Sequence, residues 1–259
     1  MAYDARPSEG RTAHVLTSED DLRAAAALDD AAFDGAVGLD HGYLRSIALE
    51  HGVVLGLKDG TGRLVAMAQL ILNAIPDAPE YLVRSLRTDT AYLEGFAVHP
   101  EHTGEVRFPG RAMVLCAERL LALYCPEKRF VACTIHPGNF RSQDTLISGL
   151  WFMAVGYDPR YYGEADEGRN GRLVVVKDLV QPPVAVRSRD IRMPLRYRSG
   201  KPDWPDVGRA RQIARRFDDG LVLTSVEKDP ADPSSRFFAC FQPLPDPAFR
   251  ARWLPEPSR

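Results

Sequence analysis

Cysteine is scarce in this chain. The 259 residues hold four, Cys116, Cys125, Cys133 and Cys240, and no two stand in Cys-x-x-Cys spacing. A disulfide framework, a thiolate zinc site and a dithiol redox motif are therefore poor fits, and reduced, mostly buried thiols are expected. Long apolar runs are missing too. None approaches the ~20 residues that cross a bilayer, and the opening MAYDARPSEGRT is polar and charged, without the apolar centre of a signal peptide. The expectation is a soluble cytoplasmic protein with no membrane partner. Net charge is only −2, which argues against nucleic acid as a partner. The chain lacks a Gly-x-Ser-x-Gly elbow, a Gly-Lys-Ser/Thr phosphate loop and a complete dinucleotide fingerprint, and no internal repeat is evident. Serine hydrolase, P-loop and Rossmann readings fall away.

Apolar material is plentiful by contrast. With 45% hydrophobic residues, the chain can bury a substantial core, and its length suits one domain plus an appendage. Charge is unevenly divided. Residues 1–180 carry 18 Lys and Arg against 25 Asp and Glu, a net of −7, and residues 181–259 carry 15 against 10, a net of +5. The basic tail can meet the acidic body of its own chain or of a second copy, or can simply be a solvated face.

The densest information lies in Tyr92 to Leu115, YLEGFAVHPEHTGEVRFPGRAMVL, where a hydrophobic strand runs through a Gly-bearing turn into an apolar helix. At a helix start the first N–H groups have no partner within the helix, and the helix dipole makes that end partly positive. A phosphate bound there needs a close backbone approach, which Gly110 and the small Ala112 permit. Pro109 can occupy the first turn without wasting a donor, and Arg107 and Arg111 add positive charge.

The pattern Arg107-x-x-Gly110-x-Ala112, with Val98 and Pro100 before it and Leu115 after it, resembles the acyl-CoA pyrophosphate loop of the GNAT N-acetyltransferase superfamily. A second block agrees. Phe130 to Ile135 reads as a buried strand, and His136-Pro137-Gly138-Asn139 leads into a segment ending Gly156-Tyr157, similar to the family's block that closes on a Gly-aromatic pair. Asn139 and Ser142 match its early polar positions, and Phe152 stands where many members carry an acidic Tyr. The resemblance covers roughly residues 12 to 180. It implies an α/β (α+β) fold with a mixed, mostly antiparallel central sheet flanked by helices. Residues 181–259 form an additional α/β extension, packed on the core or at a homodimer interface.

Local signals fit that plan. Ser18-Glu19-Asp20-Asp21 predicts a capped helix running toward Phe33, and His41 to Glu50 a second one. Val53 to Lys58 and Arg63 to Leu72 flank Asp59-Gly60-Thr61-Gly62 as a hairpin. Ala74 to Thr90 reads as a long connection or inserted helix. Tyr157 to Tyr162 and Arg172 to Lys177 are expected as the last two strands of the domain, around a charged turn from Glu164 to Gly171. Gln181-Pro182-Pro183 marks a boundary. Beyond it, strands are expected near Ile191 to Tyr197, Leu221 to Val226 and Phe237 to Phe241, with a basic helix near Val207 to Phe217.

The chemistry that the resemblance implies is acyl transfer from acetyl-CoA, or another acyl-CoA, to an amine. Phe96, Ala97 and Val98 would hold the pantetheine arm through main-chain bonds, in a strand that carries a bulge. The loop residues Arg107, Phe108, Pro109, Gly110, Arg111 and Ala112, with Asn139 and Ser142, would bind the rest of the cofactor. Strand alternation puts Val98, Phe96, Glu94 and Tyr92 on one face, with Gly95 and Ala97 on the other. Glu94 is the general-base candidate, because a carboxylate in an apolar strand has its pKa raised by desolvation. A Glu paired with Arg or exposed at the edge is the bland alternative. Tyr157 is the first candidate acid, beside Tyr161 and Tyr162, although aromatics also populate strands for packing. His99 and His102, with His136 from the next strand, invite a metal reading, but no acidic or cysteine partner has ligand-like spacing and the loop already has a use, so no metal is expected. His99 or His136 can instead serve as a base.

Two functional classes remain. One is an N-acyltransferase whose acceptor is a small amine or amino-acid-like molecule in preference to protein lysine. The other is a catalytically inactive GNAT-like module that binds CoA or a related ligand and acts through protein contacts.

Overall fold

The computed structural model describes residues 11–33, 39–75, 87–102, 109–162, 170–180, 191–196, 207–231, 236–243, 249 and 252–253. The chain separates into two compact units, Met1–Val131 and Ala132–Arg259.

The first unit is a meander of antiparallel strands with helices packed on it. Its elements are β1 (Thr12–Val15), α1 (Glu19–Phe33), α2 (His41–Ser46), β2 (Gly52–Lys58), β3 (Leu64–Ile71), β4 (Thr90–Val98) and α3 (Pro109–Tyr124). A wide turn, Ile47–His51, continues α2 into β2. The strands lie in the order β1-β2-β3-β4, each pair antiparallel.

Sequence accounts for most of these elements. The Ser18 hydroxyl accepts a hydrogen bond from Asp21 N–H at 3.2 Å, and three acids sit in the first turn of α1 where the helix dipole favours them. Asp40 caps α2 by accepting from Tyr43 N–H at 2.8 Å. In the β2–β3 hairpin the Asp59 carboxylate accepts from Thr61 N–H at 2.9 Å and Arg63 N–H at 3.1 Å, and Gly62 takes φ 87°, a conformation that suits glycine. All eight residues of β3 are buried, so both faces of that strand are covered, and α1 and α3 are helices that pack against it. Leu22, Ala25 and Leu28 of α1 and Met113, Val114, Ala117 and Leu121 of α3 supply the inward stripes.

The second unit takes in most of β5 (Phe130–Ile135), then α4 (Phe140–Gln143), β6 (Met153–Asp158), β7 (Arg172–Asp178), β8 (Ile191–Arg196), α5 (Val207–Asp218), β9 (Leu221–Lys228) and β10 (Arg236–Pro243). Strand order is β5-β7-β6-β9-β10-β8. The residues after 181 join the sheet directly, since β9 pairs antiparallel with β6 at Ala154↔Leu223. Ser148 ties the same strand from the other side of the sequence: its hydroxyl accepts from Val226 N–H at 2.8 Å and donates to Val226 C=O at 2.9 Å. Helix α5 buries Ala210, Ile213 and Phe217, and Phe217 meets Phe241 edge-on at 6.0 Å.

Three expectations need correction. The strand expected from Tyr157 starts at Met153 and ends at Asp158, and Tyr161 and Tyr162 lie in a turn. The apolar Met153-Ala154-Val155 was available for pairing, and it is these residues that the sheet takes. The alternation assigned to β4 is also broken, for the reason given below. Only two of the four thiols, Cys133 and Cys240, are buried, while Cys116 and Cys125 are half-buried. Most of the Ala74 to Thr90 connection, the turn before Gly171 and the Gln181-Pro182-Pro183 boundary lie outside the described residues.

Candidate active site in the first unit

The β3–β4 register positions the site. Gln69 pairs with Gly95 while Leu70 pairs with Leu93, so β4 contains one extra residue, Glu94. This is a β-bulge: two residues of β4 face one of β3, and the strand bends locally. Its effect on side-chain direction is a shift of parity. Tyr92 pairs with Ile71 and so shares a face with Gly95 and Ala97, which pair with Gln69 and Met67. It does not share one with Phe96 and Val98, which pair with Ala68 and Ala66.

Glu94, at the bulge, has its carboxyl largely withdrawn from water. Oε1 accepts a 2.6 Å hydrogen bond from the Tyr43 hydroxyl, and Oε2 is buried with no hydrogen bond. Desolvation, outweighing the Tyr43 bond that opposes it, raises the Glu94 pKa from 4.5 to about 7, and the nearby Asp29 carboxyl adds a smaller push. Asp29, on the inward face of α1, is itself buried and accepts from Leu39 N–H at 3.0 Å. Burial lifts it from 3.8 to about 6. Tyr43 and Asp29 were not singled out in the sequence. Asp29 had one readable signal, an acid at a helix position spaced seven residues after Leu22. Tyr43 had none, since its partner is 51 positions away.

The remaining candidates divide by location. Ala97 and Val98 are buried and Phe96 is half-buried, and all three are paired to β3 along one edge of β4. Pro109 and Gly110 are buried at the start of α3, with Arg111 and Ala112 half-buried beside them. Arg107 and Phe108 lie outside the described residues. The first turn of α3 carries no acidic residue, so nothing there opposes a bound phosphate, and a 16-residue helix stands behind it. A helix start of this kind can take a phosphate group.

In the second unit, Asn139 caps α4, accepting from Ser142 N–H at 3.0 Å. Tyr157 is half-buried in β6. Tyr161 is buried, and Tyr162 is exposed with the Arg172 guanidinium 4.5 Å over its ring. Phe152 is fully buried and has no hydroxyl to offer.

The histidines have structural partners. His99 Nε2 lies 2.8 Å from Arg63 Nη2, and Arg63 also binds Glu101 at 2.9 Å. His136 Nδ1 accepts from Gly138 N–H at 3.0 Å and closes the turn after β5. Among the described residues no group of three His, Cys, Asp or Glu is placed to hold a metal, and no helix is long and apolar enough to cross a membrane.

No family model matches the chain, and neither does any curated protein. Solved structures do. The ribosomal-protein-S18-alanine N-acetyltransferase from Escherichia coli superposes with a TM-score of 0.51 at 17% identity, over 69% of this chain and 99% of that one. This chain has the GNAT fold. Naa20 from Chaetomium thermophilum, in complex with a bisubstrate analogue, gives a TM-score of 0.51 at 17% identity, over 69% of this chain and 92% of that one. FeeM, an N-acyl amino acid synthase from uncultured soil microbes, gives 0.50 at 17%, over 66% and 91%. At such identities the GNAT likeness fixes the fold alone, and the reaction has to be argued from the residues.

Proposed function

We propose that this chain is an acyl-CoA-dependent N-acyltransferase that passes an acetyl or other short acyl group directly to an amine. The observation that carries the reading is Glu94: a half-buried residue at a strand bulge, its carboxyl tethered by Tyr43, its Oε2 buried, and its pKa raised to about 7. A base with that pKa is half ionised near neutral pH, which suits proton transfer from an ammonium group.

The acyl-CoA supplies the activated thioester. Gly110, Arg111 and Ala112 at the start of α3, with Arg107 and Phe108 before them, would take its phosphates on backbone N–H groups and positive charge, and Pro109, which has no N–H, would set the first turn. The main-chain groups of Phe96, Ala97 and Val98 that point away from β3 would hold its arm. Asn139 and Ser142 are assigned to the same ligand. Glu94 removes the proton from the acceptor ammonium so that the nitrogen lone pair can attack the acyl carbon. A C–N bond forms as the C–S bond breaks, and the departing thiolate takes a proton, for which Tyr157 is the candidate donor. No acyl group passes through a protein side chain.

The acceptor is assigned as a small amine or amino-acid-like molecule. Glu94 and Asp29 are two carboxyls in one buried neighbourhood, a setting that favours an ammonium group. Residues 1–180 are assigned to the acyltransferase domain and 181–259 to an extension. Phe152, buried and without a hydroxyl, favours the second reading, a CoA-binding module without activity.

Thermal unfolding with and without excess acetyl-CoA, followed by free-thiol release with a panel of amines, decides between them. A rise in midpoint that Gly110→Glu abolishes, plus thiol release that Glu94→Gln abolishes, supports the enzyme. A rise without thiol release supports the module. No rise with any acyl-CoA sinks both.

A further inference from the structure

Gln69 sits within β3, and the other seven residues of that strand are apolar. It is fully buried, and neither Oε1 nor Nε2 makes a hydrogen bond. A carboxamide brings two donors and an acceptor into the interior, and leaving all of them unmet is costly to the fold. An apolar side chain would serve the strand better. Residues that break such a local rule without a structural return are candidates for function.

The register says what Gln69 faces. Because Glu94 is the extra residue of the bulge, Glu94 and Gly95 together stand across from Gln69. Cross-strand partners project on the same face, and at Gly95 that face has room: apart from its chain neighbours, no heavy atom lies within 4 Å of the place a Cβ would take. Glu94 presents one oxygen already held by Tyr43 and a second, Oε2, that is buried and unmet. Two unmet donors on one residue thus stand opposite an unmet acceptor on the other.

We propose that Gln69 is a positioning residue for Glu94, its carboxamide N–H donating to Oε2 through one water in the space beside Gly95, and so fixing the carboxyl that moves the acceptor's proton. This rests on the acyltransferase reading above. Among the described residues, the titratable groups acting on Glu94 are Tyr43 from α2 and Asp29 from α1. Strand β3 holds no ionisable residue, and no charged group of α3 acts on the Glu94 carboxyl. A hydrogen bond given to the carboxylate favours its ionised form, so removing the donor raises the pKa.

The test is a direct titration of Glu94 by NMR of protein labelled with 13C at the glutamate carboxyl carbons, the signal being assigned with Glu94→Gln. Gln69→Met keeps the side chain's length and removes its donors. We expect the Glu94 midpoint to rise by about half a unit to one unit, as for loss of one hydrogen bond to a carboxylate. Thermal stability should change little, because the loss of the bridged hydrogen bond is offset by taking a carboxamide with an unmet Oε1 out of the interior. In steady-state assays kcat at neutral pH should fall several-fold, with KM for acyl-CoA within about twofold and the acidic limb of the pH profile moved upward.

An unchanged Glu94 midpoint in Gln69→Met overturns the proposal, and in an active wild type it does so without touching the acyltransferase reading. A raised midpoint in a wild type that transfers no acyl group keeps the Gln69–Glu94 contact and removes the acyltransferase reading. Gln69→Leu repeats the titration in a second shape, so that poor folding of one variant does not leave the question open.

Discussion

The Tyr43 hydroxyl donates a 2.6 Å hydrogen bond to Oε1 of Glu94, which joins the first turn of α2 to the bulge of β4 across 51 positions of sequence. A phenol given to a carboxylate stabilises the ionised form, so it works against the burial that raises the Glu94 pKa.

Tyr43→Phe should therefore raise the apparent pKa of Glu94 by about one unit, the size expected for losing a hydrogen bond to a charged group. Activity at pH 7 should drop several-fold and return at higher pH. A pH profile of kcat/KM for wild type and variant checks this, and a variant that stays low at every pH would place Tyr43 in a different role.

In the wild type, kcat/KM should climb as pH rises through about 7, the Glu94 value, because the base acts only when deprotonated. Glu94→Gln should lose at least about a hundredfold in kcat, the usual contribution of a positioned base, and keep acetyl-CoA binding. Equal turnover in wild type and Glu94→Gln would remove Glu94 from the mechanism.

Stability should also depend on pH, with a sign set by the raised carboxyls. The folded state holds protons on Asp29 and Glu94 up to about 6 and about 7, whereas the unfolded chain releases them near 3.8 and 4.5. Their contribution is thus full below pH 4 and is lost as pH rises to about 7. We expect the unfolding midpoint to fall between pH 5 and pH 8, less steeply in Asp29→Asn. Parallel curves for the two proteins would show that Asp29 is not buried as a neutral acid.

Gly110→Glu should abolish the acetyl-CoA thermal shift. It sets a negative charge and a long side chain in the first turn of α3, where Gly110 is buried and the helix dipole favours an anion. A retained shift would locate the ligand elsewhere.

Asn139→Ala should cost about 1 kcal/mol of stability in urea unfolding, the common value of an N-cap, since its side chain accepts from Ser142 N–H. An acetyl-CoA shift measured on the same variant reads the assigned cofactor contact separately. Unchanged stability would mean that the cap is not formed in solution.

Much of the fold was legible in the sequence because its signals are local. Ser18 before three acids, Asp59-Gly60-Thr61-Gly62 between two apolar runs, and Phe130 to Ile135 as a run interrupted only by Thr134 each specify their element from neighbouring residues. Sequence alone does not fix the start of β6, because a short apolar run before Gly156-Tyr157 satisfies helix and strand alike, and pairing with β7 and β9 decides it. Trp151, just before that strand, is exposed and takes φ 65°, a conformation no sequence rule would have assigned to tryptophan.

The amino-acid sequence by itself determined the element order, the Gly110 helix start and the presence of a lone carboxylate in an apolar strand. Those depend on residue type and spacing within a few positions. Only the tertiary structure decided that an extra residue at Glu94 breaks the alternation of β4, that Gln69 faces it, and that Tyr43 and Asp29 close around it. Register and burial come from pairing between distant segments, and a carboxyl's pKa follows what those segments bring within reach.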